Sequence, residues 1–126
     1  MGRPTVLVVD DQVGVRKLLE AALGGDGYAV TTAGNGQEAL DLLAAGAEPP
    51  SLALVDLRMP VLDGVRTLAA LKERYPSLPV VMMTAVGDVD RDVEVLRLGA
   101  VETISKPFDL NEVRALVAGL LPGQTA

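Results

Sequence analysis

Two kinds of segment alternate along the chain, and their order predicts the class of fold. Short apolar runs predict five β-strands, at Thr5–Asp10, Tyr28–Ala33, Leu52–Asp56, Pro79–Thr84 and Val101–Ser105. Longer stretches with apolar residues at helical spacing predict five helices, at about residues 12–23, 36–46, 63–75, 88–98 and 109–121. Each strand is followed by a helix, which is typical of parallel strands joined by helical crossovers. We therefore predict an α/β fold built on a doubly wound, five-stranded parallel sheet.

Local features of the pattern agree with this fold. Val6–Val9 and Val80–Met83 contain no alternating polar residues, as expected of strands covered by helices on both faces. The predicted helix ends follow from glycine or proline just after the periodic residues, at Gly24–Gly25, Gly46, Pro76 and Gly99. Asp109 is a predicted N-cap. The 126 residues suffice for one domain, which we place at 1–122, with a C-terminal tail at 123–126.

Composition excludes several kinds of function. The net charge of −6 argues against direct nucleic-acid binding, which needs a clustered basic face. The chain has no cysteine and no apolar run long enough to cross a bilayer, so we expect no membrane partner and a cytoplasmic location. It also has no histidine, so the donor of any phosphoryl group would belong to another molecule.

Polar residues stand where the predicted strands end. Asp10 and Asp11 close the first strand, Asp56 the third and Thr84 the fourth, and Lys106 follows the fifth. Because ligands of such sheets bind beyond the carboxyl ends of the strands, we expect these side chains to converge. Each residue alone has a structural interpretation, as a helix cap, a strand residue or a surface lysine. Their combination in this order favours a functional site.

Three clustered carboxylates repel one another unless a cation lies between them. Donors that are all oxygen favour Mg²⁺, with Mn²⁺ or Ca²⁺ as substitutes. Asp56 is then the predicted nucleophile toward a phosphoryl group, and the product is an aspartyl phosphate. Lys106 and Thr84 are predicted to contact the phosphoryl oxygens.

The same residues resemble the receiver domain of two-component response regulators, over essentially the whole chain. The matching segments are Val8–Asp11, Leu54–Pro60, Asp63–Gly64, Thr84–Ala85, Leu98–Ala100 and Lys106–Phe108. The resemblance implies sheet order 2-1-3-4-5 in a flavodoxin- or CheY-like three-layer sandwich. It also implies that a sensor histidine kinase phosphorylates Asp56. The chain would then be no conventional enzyme, but a phosphoacceptor switch that catalyses its own phosphorylation and dephosphorylation.

The resemblance implies roles for individual residues around the site. Mg²⁺ would be bound directly by Asp11, Asp56 and the backbone carbonyl of Arg58, and through water by Asp10. The Lys106–Pro107 peptide bond is typically cis in this family. We add the hypothesis that Arg58 and Val86 shield the aspartyl phosphate from water.

A narrower set of residues resembles the stand-alone receivers of sporulation phosphorelays. The set comprises Val9–Gln12, Gly14–Arg16, Leu18–Leu19, Lys106–Asp109 and Glu112–Arg114. It implies a relay intermediate that passes its phosphoryl group to a histidine phosphotransferase. The implied docking residues are Gln12, Gly14, Val15, Arg16, Leu18, Pro107 and Phe108. Thr103 replaces the aromatic that many receivers carry three residues before the lysine, and this departure favours the relay.

Four alternatives stay open at this stage. The chain could be a receiver cut from a longer regulator with a DNA-binding or enzymatic output domain. A nucleotide- or flavin-binding module shares the topology, but the turn after the first strand lacks spaced glycines. A phosphatase of the dehalogenase type would need a carboxylate where Arg58 stands. A degenerate receiver would lack some of the five site residues, and all are present.

Overall fold

The computed structural model describes residues 3–59 and 61–121. Its strands are β1 (Thr5–Val9), β2 (Ala29–Ala33), β3 (Leu52–Asp56), β4 (Val80–Ala85) and β5 (Glu102–Lys106). Its helices are α1 (Val13–Gly25), α2 (Gly36–Ala44), α3 (Gly64–Arg74), α4 (Val89–Arg97) and α5 (Leu110–Leu120). All ten predicted elements are confirmed, with bounds that differ by at most two residues. The predicted domain boundary at 122 and the tail at 123–126 lie outside the described residues.

The five strands form one parallel sheet in the order β2-β1-β3-β4-β5, which confirms the predicted fold class and order. The chain reverses its direction of winding between β1 and β3, so the carboxyl ends of these neighbours flank the switch point. Val9 of β1 pairs with Val55 of β3. This register brings the residues that follow, Asp10 and Asp56, to the same edge of the sheet.

Each face of the sheet carries its own apolar core. One core lies under α2, α3 and α4 and includes Leu43, Leu68 and Val95. The other lies under α1 and α5, where Leu19 and Leu23 pack with Val113 and Val117. Full burial of such a leucine stabilises the fold by about 1.5–3 kcal/mol. No helix within the described ranges is long and apolar enough to span a bilayer.

Most helix termini follow the predicted signals. Asp109 is confirmed as an N-cap, since its carboxylate accepts a hydrogen bond from the Asn111 amide at 2.8 Å. Helix α1 ends at Gly25, within the predicted stop at Gly24–Gly25. Two residues later, Gly27 adopts a positive φ of 100°, which turns the chain away from the helix toward β2.

The loop between β3 and α3 adopts an uncommon backbone. Val61 and Leu62 both have positive φ, 49° and 67°, a region that costs free energy for side chains with a Cβ. The hydroxyl of Thr67 donates to the Asp63 carbonyl at 2.8 Å and ties the loop to α3. The phosphoacceptor strand predicted from the sequence therefore leads into a tightly constrained turn.

Candidate functional site

The five predicted side chains do converge at the carboxyl edge of the sheet. Carboxylate oxygens of Asp10, Asp11 and Asp56 lie within 4.8 Å of one another. The Nζ atom of Lys106 lies 3.5 Å from Oδ2 of Asp56. Thr84 lines the same cleft of about 320 Å³ as Asp11, Asp56 and Lys106. The site thus combines acidic, cationic and hydroxyl groups around one small space.

The two acids that follow β1 have different surroundings. Asp10 is 0% exposed. Its Oδ1 accepts the Gln12 amide at 2.9 Å and its Oδ2 accepts Lys106 Nζ at 2.5 Å. Asp11 is exposed and lines the cleft. This division agrees with the implied roles, in which Asp11 binds a metal directly and Asp10 acts less directly.

Asp56 is the acid with the most perturbed pKa. Burial raises its pKa from 3.8 to about 6, with a further rise from the negative charge of Asp10. The Lys106 ammonium and the Arg58 backbone N–H act in the opposite direction. A buried carboxylate whose ionised form is held back in this way gains from any cation placed beside it.

The donor set fits Mg²⁺. All three side chains offer only oxygen, which hard divalent cations prefer, and one of them is solvent-accessible. A cation would also relieve the repulsion that raises the Asp56 pKa. Coordination by the Arg58 carbonyl stays a prediction.

Thr84 presents a buried hydroxyl that has no hydrogen-bond partner among the residues that the structure describes. The residue is 2% exposed, and no group in the described ranges hydrogen-bonds to its Oγ1. A buried hydroxyl without a hydrogen-bond partner destabilises the fold, so Thr84 is not explained by a role in stability. A ligand in the cleft would supply the missing partner. A phosphoryl oxygen in the cleft would accept this hydrogen bond.

Arg58 and Val86, the two residues of the shielding hypothesis, differ in their position relative to the cleft. Arg58 lines the cleft, but its side chain is 77% exposed and pairs with Asp88 at 3.6 Å. Ala85 lines the other side, whereas Val86 is 67% exposed and is not among the described lining residues. The chain turns directly after β4, where the Asp88 amide donates to the Ala85 carbonyl at 3.2 Å. This turn ends the strand alternation that would have pointed Val86 into the site.

The predicted docking residues lie on α1 and after β5. Leu18, Gly14 and Gln12 are exposed, while Val15 and Arg16 are half-buried. Pro107 is exposed and Phe108 packs partly against the core beneath α1 and α5. The Lys106–Pro107 bond is cis, as the resemblance implied. Partner binding at this surface stays a prediction.

Sequence reasoning missed contacts that involve the backbone. A Cβ at Gly64 would lie 2.5 Å from the Asp56 carbonyl oxygen, so α3 can approach the end of β3 only through glycine. A Cβ at Gly36 would overlap the Thr67 hydroxyl, so glycine at this position lets α2 pack closely against α3 beside the loop that precedes α3. The Asp63–Gly64 pair marked the position, but nothing in the pattern indicated a close approach.

Comparison with known proteins agrees with this geometry. The model of the response regulator receiver domain matches residues 6–118. The DNA-binding transcriptional regulator NtrC of Escherichia coli (strain K12) is 45% identical over 117 residues, which are 93% of this chain and 24% of that protein. Sporulation initiation phosphotransferase F of Bacillus subtilis (strain 168) is 39% identical over 117 residues, 93% of each chain.

A solved structure supports the same assignment. The receiver domain of NtrX from Brucella abortus superposes with a TM-score of 0.84 at 32% identity, covering 94% of this chain and 98% of that one. The chain spans about a quarter of the NtrC proteins that it matches, 24% of their length. With the family model covering residues 6–118 and the acidic cluster at the expected edge of the sheet, the chain belongs to the receiver domains of two-component response regulators.

Proposed function

We propose that the chain is a Mg²⁺-dependent phosphoacceptor of the cytoplasm whose Asp56 takes a phosphoryl group from a phosphohistidine of a sensor histidine kinase. Receiver domains generally bind Mg²⁺ and are phosphorylated by sensor kinases or phosphotransferases. The observation that carries the proposal is the acidic cluster, whose oxygens lie within 4.8 Å of one another. The Lys106 ammonium lies beside this cluster, with its Nζ 3.5 Å from Asp56 Oδ2, and adds a positive charge to the site.

The proposed reaction is a direct phosphoryl transfer. An Asp56 carboxylate oxygen attacks phosphorus, an O–P bond forms and the P–N bond of the donor breaks. The electron pair of that bond stays on the donor imidazole. Lys106 and the free Thr84 hydroxyl donate to the phosphoryl oxygens, where negative charge is concentrated. Bound Mg²⁺ supplies further positive charge to the same oxygens.

The chain also catalyses the loss of this group. Water attacks phosphorus, the bond between phosphorus and the Asp56 oxygen breaks, and inorganic phosphate leaves while the carboxylate is regenerated. The protein therefore acts as its own substrate rather than on a separate one. The lifetime of the phosphorylated state depends on how well the cleft excludes water.

Intact-mass analysis tests the phosphoacceptor role. We expect a phosphoryl adduct when the protein is incubated with acetyl phosphate and Mg²⁺, and its loss on mild base treatment. The adduct should be absent with EDTA and in Asp56→Asn. An equal adduct in Asp56→Asn, or none in the parent protein, would contradict the proposal.

We further propose that the chain is a relay intermediate that passes its phosphoryl group to a histidine phosphotransferase, as in sporulation phosphorelays. Support comes from the match to Sporulation initiation phosphotransferase F over 93% of both chains, and from Thr103 in place of an aromatic. The competing proposal is a receiver that controls an output domain, which the 45% identity to part of the NtrC regulator favours.

Phosphotransfer separates the two proposals. The phosphorylated protein is mixed with a purified histidine phosphotransferase and with its variant that lacks the acceptor histidine. A relay intermediate loses its phosphoryl group to the first and keeps it with the second. Retention with both proteins would exclude the relay and leave the output-domain proposal.

A further inference from the structure

Arg16 makes a contact at the site that partner docking does not explain. It lies in the first turns of α1, and its Nη1 donates to the backbone carbonyl of Asp10 at 2.7 Å. The side chain is half-buried. Its guanidinium lies over Gly34, where an added Cβ would be 3.4 Å from Nη1. Arg16 thus fills the space between the ends of β1 and β2.

The bonded carbonyl belongs to the peptide group that joins Asp10 to Asp11. Its hydrogen bond therefore fixes the plane of that peptide, and with it the direction in which the Asp11 side chain leaves the backbone. On the other side, the Asp10 amide donates to the Ala33 carbonyl at 3.1 Å. The Asp10 carboxylate is held by Gln12 and Lys106. Asp10 is thus anchored through its amide, its carbonyl and its side chain.

Asp11 has no comparable anchors. It is exposed, and no hydrogen bond to its carboxylate occurs among the residues that the structure covers. The orientation of its side chain therefore depends on the backbone before it. Groups that orient a metal ligand from outside the coordination shell typically affect affinity by about 10–100-fold.

We propose that Arg16 is a positioning residue for the metal site, which holds the Asp10–Asp11 peptide so that the Asp11 carboxylate faces the cleft. The inference rests on the proposed function, because it requires that this acidic cluster binds a divalent cation. Arg16 acts through the peptide and not on the ion. Its half-buried side chain is also less available to a docking partner than Leu18 on the same helix.

Charge and position act in opposite directions here, which makes the inference testable. A guanidinium near the cluster repels a divalent cation, so loss of its charge alone should tighten metal binding. Loss of the peptide anchor should weaken it. Lys17 is the matched control: it is the next residue of α1, is exposed, and makes no hydrogen bond or ion pair within the described part of the chain.

The experiment measures Mn²⁺ affinity by the electron paramagnetic resonance signal of the free ion. The proteins are the parent, Arg16→Met, Arg16→Lys and Lys17→Met, each with its unfolding free energy measured in EDTA. We expect Arg16→Met to bind about tenfold more weakly or worse. Lys17→Met should bind as tightly as the parent or slightly more tightly. Arg16→Lys, which keeps a charged donor, should fall between the parent and Arg16→Met.

The possible results separate the two proposals. Arg16→Met binding as tightly as Lys17→Met would overturn the positioning role while the metal site stands. A parent protein that does not bind Mn²⁺ would overturn the metal site and the positioning role together. If Arg16→Met does not fold, Arg16→Lys decides: weaker binding than the parent with unchanged stability in EDTA supports the role, and unchanged binding overturns it.

Discussion

The ammonium of Lys106 lies 2.5 Å from the Asp10 carboxylate, closer than to the Asp56 carboxylate at 3.5 Å. Because Asp10 is 0% exposed, Lys106 is the counter-ion that this buried carboxylate needs. We expect Lys106→Met to lower the free energy of unfolding by about 3 kcal/mol, since it leaves a buried carboxylate without a cation. Urea denaturation in EDTA measures this loss.

The same substitution should make stability more dependent on metal. Mg²⁺ can replace part of the missing positive charge, so Lys106→Met should gain more stability from Mg²⁺ than the parent does. Lys17→Met removes a charge from an exposed position and should change stability by less than about 0.5 kcal/mol. A Lys106→Met protein as stable as Lys17→Met would show that the ion pair contributes nothing.

Thr84 separates function from stability. Its hydroxyl is buried without a partner in the described chain, so the isosteric Thr84→Val should raise the free energy of unfolding by about 1 kcal/mol. The same change removes a donor to the phosphoryl group and should slow phosphorylation by acetyl phosphate about tenfold. Intact-mass analysis of samples quenched at successive times gives the rate of phosphorylation. Thr103→Val, outside the cleft, is the control and should leave that rate unchanged.

Asp56 should make the metal-free protein less stable as pH rises. Its pKa in the fold is about 6 against an ordinary value of 3.8, so between these values only the unfolded chain is ionised. The unfolding free energy of the parent relative to Asp56→Asn is highest below pH 3.8. It falls as pH rises from 3.8 to about 6, and above this window it is lower by about 3 kcal/mol. Denaturation of both proteins in EDTA from pH 4 to 8 measures the difference. A pH-independent difference would contradict the raised pKa.

Arg58, whose side chain is largely exposed, pairs with the half-buried Asp88 at the rim of the cleft, and the shielding hypothesis gives this arginine a role in the lifetime of the phosphorylated state. We expect Arg58→Asn to speed hydrolysis several-fold, because it opens the cleft beside Asp56 to water. Asp88→Asn removes the ion pair but keeps the arginine, so its phosphoryl lifetime should stay equal or lengthen. Neither change should alter stability by more than about 1 kcal/mol, as expected of an ion pair whose arginine is solvent-exposed. An unchanged or longer lifetime in Arg58→Asn excludes shielding.

Two glycines provide a paired test of close packing. Gly64→Ala would place a Cβ 2.5 Å from the Asp56 carbonyl and should destabilise the fold by about 2–3 kcal/mol. Gly119, exposed in α5, has no heavy atom within 4 Å of an added Cβ. Gly119→Ala should therefore stabilise the protein by about 1 kcal/mol through helix propensity. Thermal unfolding compares them, and equal effects would mean that Gly64 is not confined.

Hydrophobic periodicity was enough to predict the elements and the fold class, whereas the order of the strands came from the resemblance to receiver domains. Val6–Val9 and Val80–Met83 are continuous apolar runs because helices cover both faces, and the polar residues that interrupt the pattern fall at one edge of the sheet. Parallel strands place Asp10, Asp11 and Asp56 at one edge of the sheet, and the pairing of β1 with β3 brings them together. The residue types at the site, and therefore its chemistry, could be predicted from the sequence.

Contacts made by the backbone could not be predicted from the sequence pattern. The bond from Arg16 to the Asp10 carbonyl depends on how far α1 is rotated, which periodicity does not determine. The position of Val86 depended on a turn after β4 that the sequence pattern did not reveal. Such features depend on the path of the main chain, and residue type constrains that path only weakly.

The left-handed backbone at Val61 and Leu62 has a practical consequence for anyone engineering this protein. Each of these residues costs the fold about 1–2 kcal/mol that glycine would not incur at the same φ. Stability can therefore be gained in the turn beyond β3, without repacking either core and without touching any side chain of the cleft.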